Sequence, residues 1–197
     1  SVHSGQEANQ KAREEKDLAL QPGISMRKQL CILMQSMVIP TIPSQHLNRL
    51  ESWGLPFPIV QKYASKGVTH LFDWQVECLL KPTVLTGGNI VYSAPTSGGK
   101  TLVSEILMLR RIALKGGTVF FVVPFVALAE EKTHYFQNMW GDMHIGIRPF
   151  HGEQTMSVLT SDVDVAVCTI EKANSLLNLI LEEGRHEQLS MVIVDEI

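Results

Sequence analysis

Two short stretches of this chain carry residue types at spacings that can do chemistry. In "SAPTSGGKT", Ala94 is followed by Pro95, Thr96, Ser97, then Gly98, Gly99, Lys100 and Thr101. Adjacent glycines let backbone N–H groups approach an anion with no Cβ in the way, and a lysine beside them adds a point charge. The hydroxyl of Thr101 is a hard oxygen suited to a divalent cation. The second stretch is "MVIVDE", four apolar residues ending in Asp195 and Glu196. Such a run delivers two carboxylates to the tip of a buried strand, where one could hold a metal and the other take a proton from water.

The first stretch fits the P-loop spacing A-x-x-x-x-G-K-T, with Ala in place of the first Gly. An ordinary Gly-rich turn is the bland alternative, yet a relaxed match arises by chance in such a length about once in a hundred. The P-loop reading predicts that residues 94–101 cradle the phosphates of ATP. Lys100 would face the β and γ phosphates, and Thr101 would help hold Mg²⁺. It also gives the acids a reason to exist, because a P-loop needs a second strand ending in a carboxylate. Asp195 is then the metal-side acid and Glu196 the general base, against the bland reading of a solvated acidic end. The chain stops one residue later, which predicts a fragment truncated inside a motif.

These residues need strands and helices to position them. Apolar runs at 89–94 ("NIVYSA"), 118–124, 144–150, 164–170 and 191–196 are the expected strands. Between them "TLVSEILMLRRIAL", "FVALAEEKTHYFQNM" and "EKANSLLNLILEEG" are long enough for helices. In the first, Leu102, Ile106, Leu109 and Ala113 recur at helical spacing, and Leu107 and Met108 widen the apolar surface. Near-continuous Val/Ile/Phe strands alternating with helices predict an α/β fold with a mainly parallel sheet sandwiched by helices. Upstream, short helices are expected around Ile59–Ser65, stopped by Gly67, and in "THLFDWQVECLL" with Asp73 as N-cap. Residues 1–22 are polar and predict a disordered tail. The run from Ile24 to Ile42 is richer in apolar residues, and its spacing does not decide between packing and mobility. The expected organisation is a tail or linker over 1–50 and one lobe over 51–197.

Composition bounds the partners. The chain is 45% hydrophobic and 19% charged over 197 residues, enough for a core, with no apolar run long enough to span a membrane. Three cysteines, Cys31, Cys78 and Cys168, are far apart and odd in number, which fits reduced thiols. Net charge is −3, and from Asn89 onward 8 Lys and Arg face 13 Asp and Glu, 8 − 13 = −5. That balance opposes a nucleic-acid grip built from basic side chains alone.

With these motifs in order, "APTSGGKT" and "VDEI" resemble the first RecA-like motor lobe of a superfamily-two DExH-box helicase. The resemblance covers about residues 50–197 and extends to "LFDWQ", "PFVALAEEK" and "CTIEKANSL". It implies that Gln75 recognises adenine, which suits an amide able to give and accept one hydrogen bond each. It implies nucleic-acid contacts at Phe125, Val126, Ala127, Lys132, Thr169 and Lys172. Read alone, Phe125 is as readily core as contact, and Lys132 a solvated helix residue. The resemblance further implies ATP and Mg²⁺ as cofactors, a second lobe supplying arginines, single-stranded DNA as partner and a nuclear role in DNA repair. The residues leave an RNA helicase open, because both nucleic acids present phosphates. A nucleotide-gated scaffold is the reading from another class, opposed by the intact Lys100, Thr101, Asp195 and Glu196. His144 and His151, lacking ligand spacing, and Trp53, Trp74 and Trp140 are expected to be structural.

Overall fold

Four of the five apolar runs become strands: Thr118–Val123 (β1), Ile147–Phe150 (β2), Val165–Thr169 (β3) and Leu189–Val194 (β4). In the computed structural model they form one sheet of order β2-β3-β1-β4, parallel at every pairing. The structure describes Glu14 and residues 23–36, 46–95, 98–152 and 159–196. These residues group into two units, Ser1–Leu107 and Met108–Ile197.

The second unit holds the sheet. Every residue of β1 and β3 is buried, as central parallel strands covered on both faces require. Alternation sends Phe120 and Val122 to one face and Phe121 to the other. On the first face they pack with Ala166, Cys168 and with Leu176 and Ile180 of the helix Ile170–Glu182. On the other, the helix Val126–Trp140 sets Phe136 edge-on to Phe121 at 5.0 Å between ring centroids and stacked on Trp140 at 4.7 Å. Phe136 is fully buried between them, so truncation leaves a cavity that two large rings cannot close. Phe136→Ala is expected to cost about 3–5 kcal/mol in this unit, read as an earlier unfolding transition in denaturant. A change within about 0.5 kcal/mol, the range of surface substitutions, would contradict the packing described.

The first unit contains helices α1 (Met26–Ser36), α2 (Phe57–Ser65), α3 (Asp73–Leu80) and the single turn α4 (Pro82–Leu85). Helix α5 (Lys100–Leu114) starts in it and ends in the second unit. The chain-order labels for the helices of the second unit are α6 (Val126–Trp140) and α7 (Ile170–Glu182). For Met26–Ser36, within the described part of the run that begins at Ile24, the structure decides what spacing left open. Leu30 and Met34 are buried, and the α1 backbone comes so close to Gly54 that a Cβ there would sit 3.2 Å from Met34 Cα. Gly54 also has φ +76°, so both its conformation and its contact call for glycine. Residues 1–13, 15–22 and 37–45, where most of the expected tail falls, lie outside the described residues.

Two expectations are corrected. Residues Asn89–Ala94 form no strand, and Val91 is 100% exposed. A strand exists only through ladder hydrogen bonds to a neighbour, and among the described residues none pairs with this run. The cap of α3 shifts by one residue, since Phe72 takes the extended N-cap position and Asp73 becomes the first helical residue. The Phe72 N–H donates instead to Gln75 Oε1 at 2.7 Å, the reach-back half of a capping box. Asp73 still favours the helix through its charge in the first turn. The other helices match their expected runs to within a residue or two, as does the Gly67 stop, with φ +84°.

Candidate nucleotide and nucleic-acid site

In the first unit the glycine pair opens helix α5. Gly98 N–H donates to Pro95 O at 2.9 Å, closing a tight turn, and Gly99 has φ +75°. A Cβ on Gly98 would lie 2.8 Å from Pro95 O, so the loop has room for backbone only. Lys100 curls back over the turn, its Nζ donating to Ala94 O at 3.0 Å and Pro95 O at 3.4 Å. The ammonium is thereby held by weak carbonyl acceptors that a phosphate oxygen would outcompete, the bond between two charged partners being stronger. Thr101 follows as the second helical residue, half-buried. Thr96 and Ser97 lie outside the described residues.

Gln75 is 1% exposed and tied to this loop. Its Nε2 donates to Gly99 O at 2.7 Å while its Oε1 takes the Phe72 N–H. Each end of the amide thus makes one bond, and Nε2 keeps a second hydrogen and Oε1 a second lone pair for another partner. Tyr92 donates its hydroxyl to Lys100 O at 3.0 Å, and Trp74 packs on Tyr92 with centroids 6.0 Å apart. These contacts hold the irregular run before the loop in place of a sheet ladder.

Sequence reasoning missed Glu105. It lies on α5 one turn beyond Thr101, is 2% exposed, and accepts a 2.5 Å hydrogen bond from the buried Tyr63 hydroxyl of α2. A buried acid needs such a partner, and the bond anchors the helix that carries Lys100 and Thr101. The available signal was a lone carboxylate inside "TLVSEILML".

In the second unit the remaining candidates gather at the carboxyl edge of the sheet. Val123 and Thr169 are partners in register on β1 and β3, so α6 and α7 begin side by side. Phe125 is 66% exposed, Val126 and Ala127 are exposed, and Phe125 occupies the extended N-cap position of α6. Core placement is thereby ruled out for Phe125. Thr169 is buried at the N-cap of α7, Ile170 beside it is exposed and Lys172 is half-buried in the first turn. The first N–H groups of each helix point toward this edge and lack intrahelical acceptors. Behind it, burial pushes the Cys168 thiol up to about 12, with Lys172 pulling it partly back, so the sulfur stays neutral packing.

The acids stand at the same edge. Asp195 donates its backbone N–H to Val122 O at 2.9 Å, which continues β4 alongside β1. Its carboxylate lies 3.6 Å from Lys132 Nζ, with side chains 12% and 16% exposed respectively. Glu196 is exposed and left-handed at φ +62°. That conformation is costly for a non-glycine residue and concentrates at functional positions. His151 pairs with Glu130 at 2.5 Å, and His144 occupies a left-handed turn at φ 55°. Trp53 is buried and donates Nε1–H to Leu47 O at 2.8 Å, and Trp140 is in the core, so both serve packing.

A parallel α/β sheet with a lysine-bearing glycine turn opening one helix and a strand ending in two acids is the architecture of RecA-like nucleotide-driven motors. The family profile described as DEAD/DEAH box helicase matches residues 75–197, and the chain belongs to that family. It is 45% identical to DNA polymerase theta of Mus musculus over 148 residues, 75% of this chain and 6% of that protein. It is likewise 45% identical to DNA polymerase theta of Drosophila melanogaster over 152 residues, 77% of this chain and 7% of that protein. The protein called Helicase POLQ-like of Homo sapiens is 35% identical over 149 residues, 74% of this chain and 14% of that one. The chain therefore spans well under a tenth of the polymerase theta proteins it matches. The fold is shared with the DUF1998 helicase MrfA bound to DNA and AMPPNP, at a TM-score of 0.55 and 19% identity, covering 72% of this chain and 21% of that one.

Proposed function

We propose that this chain is the first lobe of an ATP-driven DNA translocase, acting within a larger protein similar to polymerase theta. The observation that carries it is the Lys100 ammonium folded over a glycine turn at the head of α5, in a chain of the DEAD/DEAH box helicase family. On this reading Ala94 to Thr101 take the phosphates and Gln75 offers adenine its second hydrogen and second lone pair. Thr101 and Asp195 would hold Mg²⁺. The hydroxyl and the carboxylate are both hard oxygen donors, and the cation would neutralise charge on the phosphates. Glu196 would accept a proton from the attacking water.

The exposed N-termini of α6 and α7 suit phosphates even in an acidic chain, because helix N–H groups need no basic side chains. Phe125, Val126, Ala127, Thr169 and Lys172 would lie along the nucleic-acid backbone there. A second lobe, outside this chain, would supply arginines to the transition state. Opening and closing of the lobes would move the protein along single-stranded DNA, 3′ to 5′ in the family. The similarity to polymerase theta supports a nuclear role in double-strand break repair through microhomology.

The test is ATP hydrolysis by the full-length protein with single-stranded DNA, duplex DNA or RNA. Strong stimulation by single-stranded DNA is expected. Preferential stimulation by RNA would make the protein an RNA helicase, and nucleotide binding without turnover would leave a nucleotide-gated scaffold.

A further inference from the structure

The resemblance assigns Lys132 to nucleic acid and Asp195 to metal, yet the structure brings these two side chains together, both largely buried. The sheet explains why. Along β4, Ile193 and Asp195 point to one face, and Ile193 is the register partner of Phe121. Phe121 meets Phe136 of α6, and Lys132 lies one helical turn before Phe136 on the same side of that helix. The lysine stem therefore runs along the packed face of α6 and delivers its ammonium to the acid. The backbone bond from Asp195 to Val122 O keeps the carboxylate at the end of β1.

An ammonium and a divalent cation drawn to the same largely desolvated carboxylate repel each other strongly. We propose that Lys132 is a positioning residue that occupies the Asp195 carboxylate in the metal-free state and is displaced from it by Mg²⁺. The inference rests on Asp195 being the metal-side acid. It makes Lys132 a competitor of the metal, and it sets how much Mg²⁺ the site needs before it loads.

The experiment titrates Mg²⁺ against binding of a fluorescent non-hydrolysable ATP analogue to the full-length protein. In Lys132→Met the half-saturating Mg²⁺ concentration is expected to fall about tenfold, the effect of removing about 1.4 kcal/mol of competition. Lys132→Arg keeps the charge and should stay near the parent value. An unchanged or raised requirement in Lys132→Met overturns the proposal. A second readout needs no substitution: amine acylation of the parent protein followed by mass spectrometry. Lys132 should be protected without Mg²⁺ and react faster with Mg²⁺ and the analogue. Equal protection in both states overturns competition even if Lys132→Met fails to fold. Should the parent protein bind the analogue with no Mg²⁺ dependence, the metal role of Asp195 falls, and this inference with it. Mg²⁺-dependent binding that ignores Lys132 removes only the inference.

Discussion

Replacing Lys100 by alanine in the full-length protein is expected to lower ATP turnover by at least about 100-fold, the scale of losing one charged stabiliser of a phosphoryl transition state. The ammonium at 3.0 Å from Ala94 O and 3.4 Å from Pro95 O is already poised over the loop, so it needs only to trade carbonyls for phosphate oxygens. Lysine suits the position as a compact point charge on a flexible stem, whereas arginine brings a wide planar fork. Lys100→Arg should therefore recover little. The fold should survive either change, because Lys100 is half-buried at a helix start and, among the described residues, its side chain donates to Ala94 O and Pro95 O of its own loop. Turnover and nucleotide affinity measured side by side decide the matter. Near-parental turnover in Lys100→Ala would refute the phosphate role of the loop, whatever happens at the acids.

Glu196→Gln separates chemistry from binding. Gln keeps the size of the side chain but cannot take a proton, and a positioned general base contributes about 10²–10⁴-fold. The turnover number should fall by that range while the nucleotide dissociation constant stays within about threefold of the parent, half a kcal/mol or so. The backbone turns left-handed at Glu196, φ +62°, where Asp195 still continues the ladder to β1 through its N–H bond to Val122 O. The two adjacent acids are thereby given different surroundings. Asp195 is held in the ion pair with Lys132, and Glu196 stands exposed. Neighbouring acids in unlike environments can take unlike roles. A variant with parental turnover would move the base elsewhere. Loss of nucleotide affinity in parallel with turnover would assign Glu196 to binding instead.

Much of the site was legible because its chemistry is local. A glycine pair before Lys100 and Thr101, and two carboxylates after four apolar residues, declare themselves within a few positions. The runs that became β1, β3 and β4 were legible for a similar reason, since strands buried on both faces must be apolar almost throughout. The run 89–94 also carries adjacent β-branched residues, Ile90 and Val91, and forms no strand. Composition measures fitness for a ladder, and only a neighbour at hydrogen-bonding distance makes one. Asp73 looked like a cap by residue type, but the extended residue before the helix is Phe72, and Gln75 satisfies its N–H.

By itself, then, the sequence determined the α/β class, the glycine turn before Lys100, the acid-tipped strand and the order of the elements between them. Tertiary structure decided which residues meet. The Tyr63–Glu105 bond joins residues 42 apart, and no local spacing predicts it. Lys132 reads in sequence as a solvated helix lysine, and it is drawn to Asp195 because the sheet order β2-β3-β1-β4 lays β4 beside β1 under the packed face of α6. Short-range patterns record what each side chain can do. Partners far along the chain are chosen by strand order and helix packing, where burial and the need to satisfy every buried charge act on the whole unit at once.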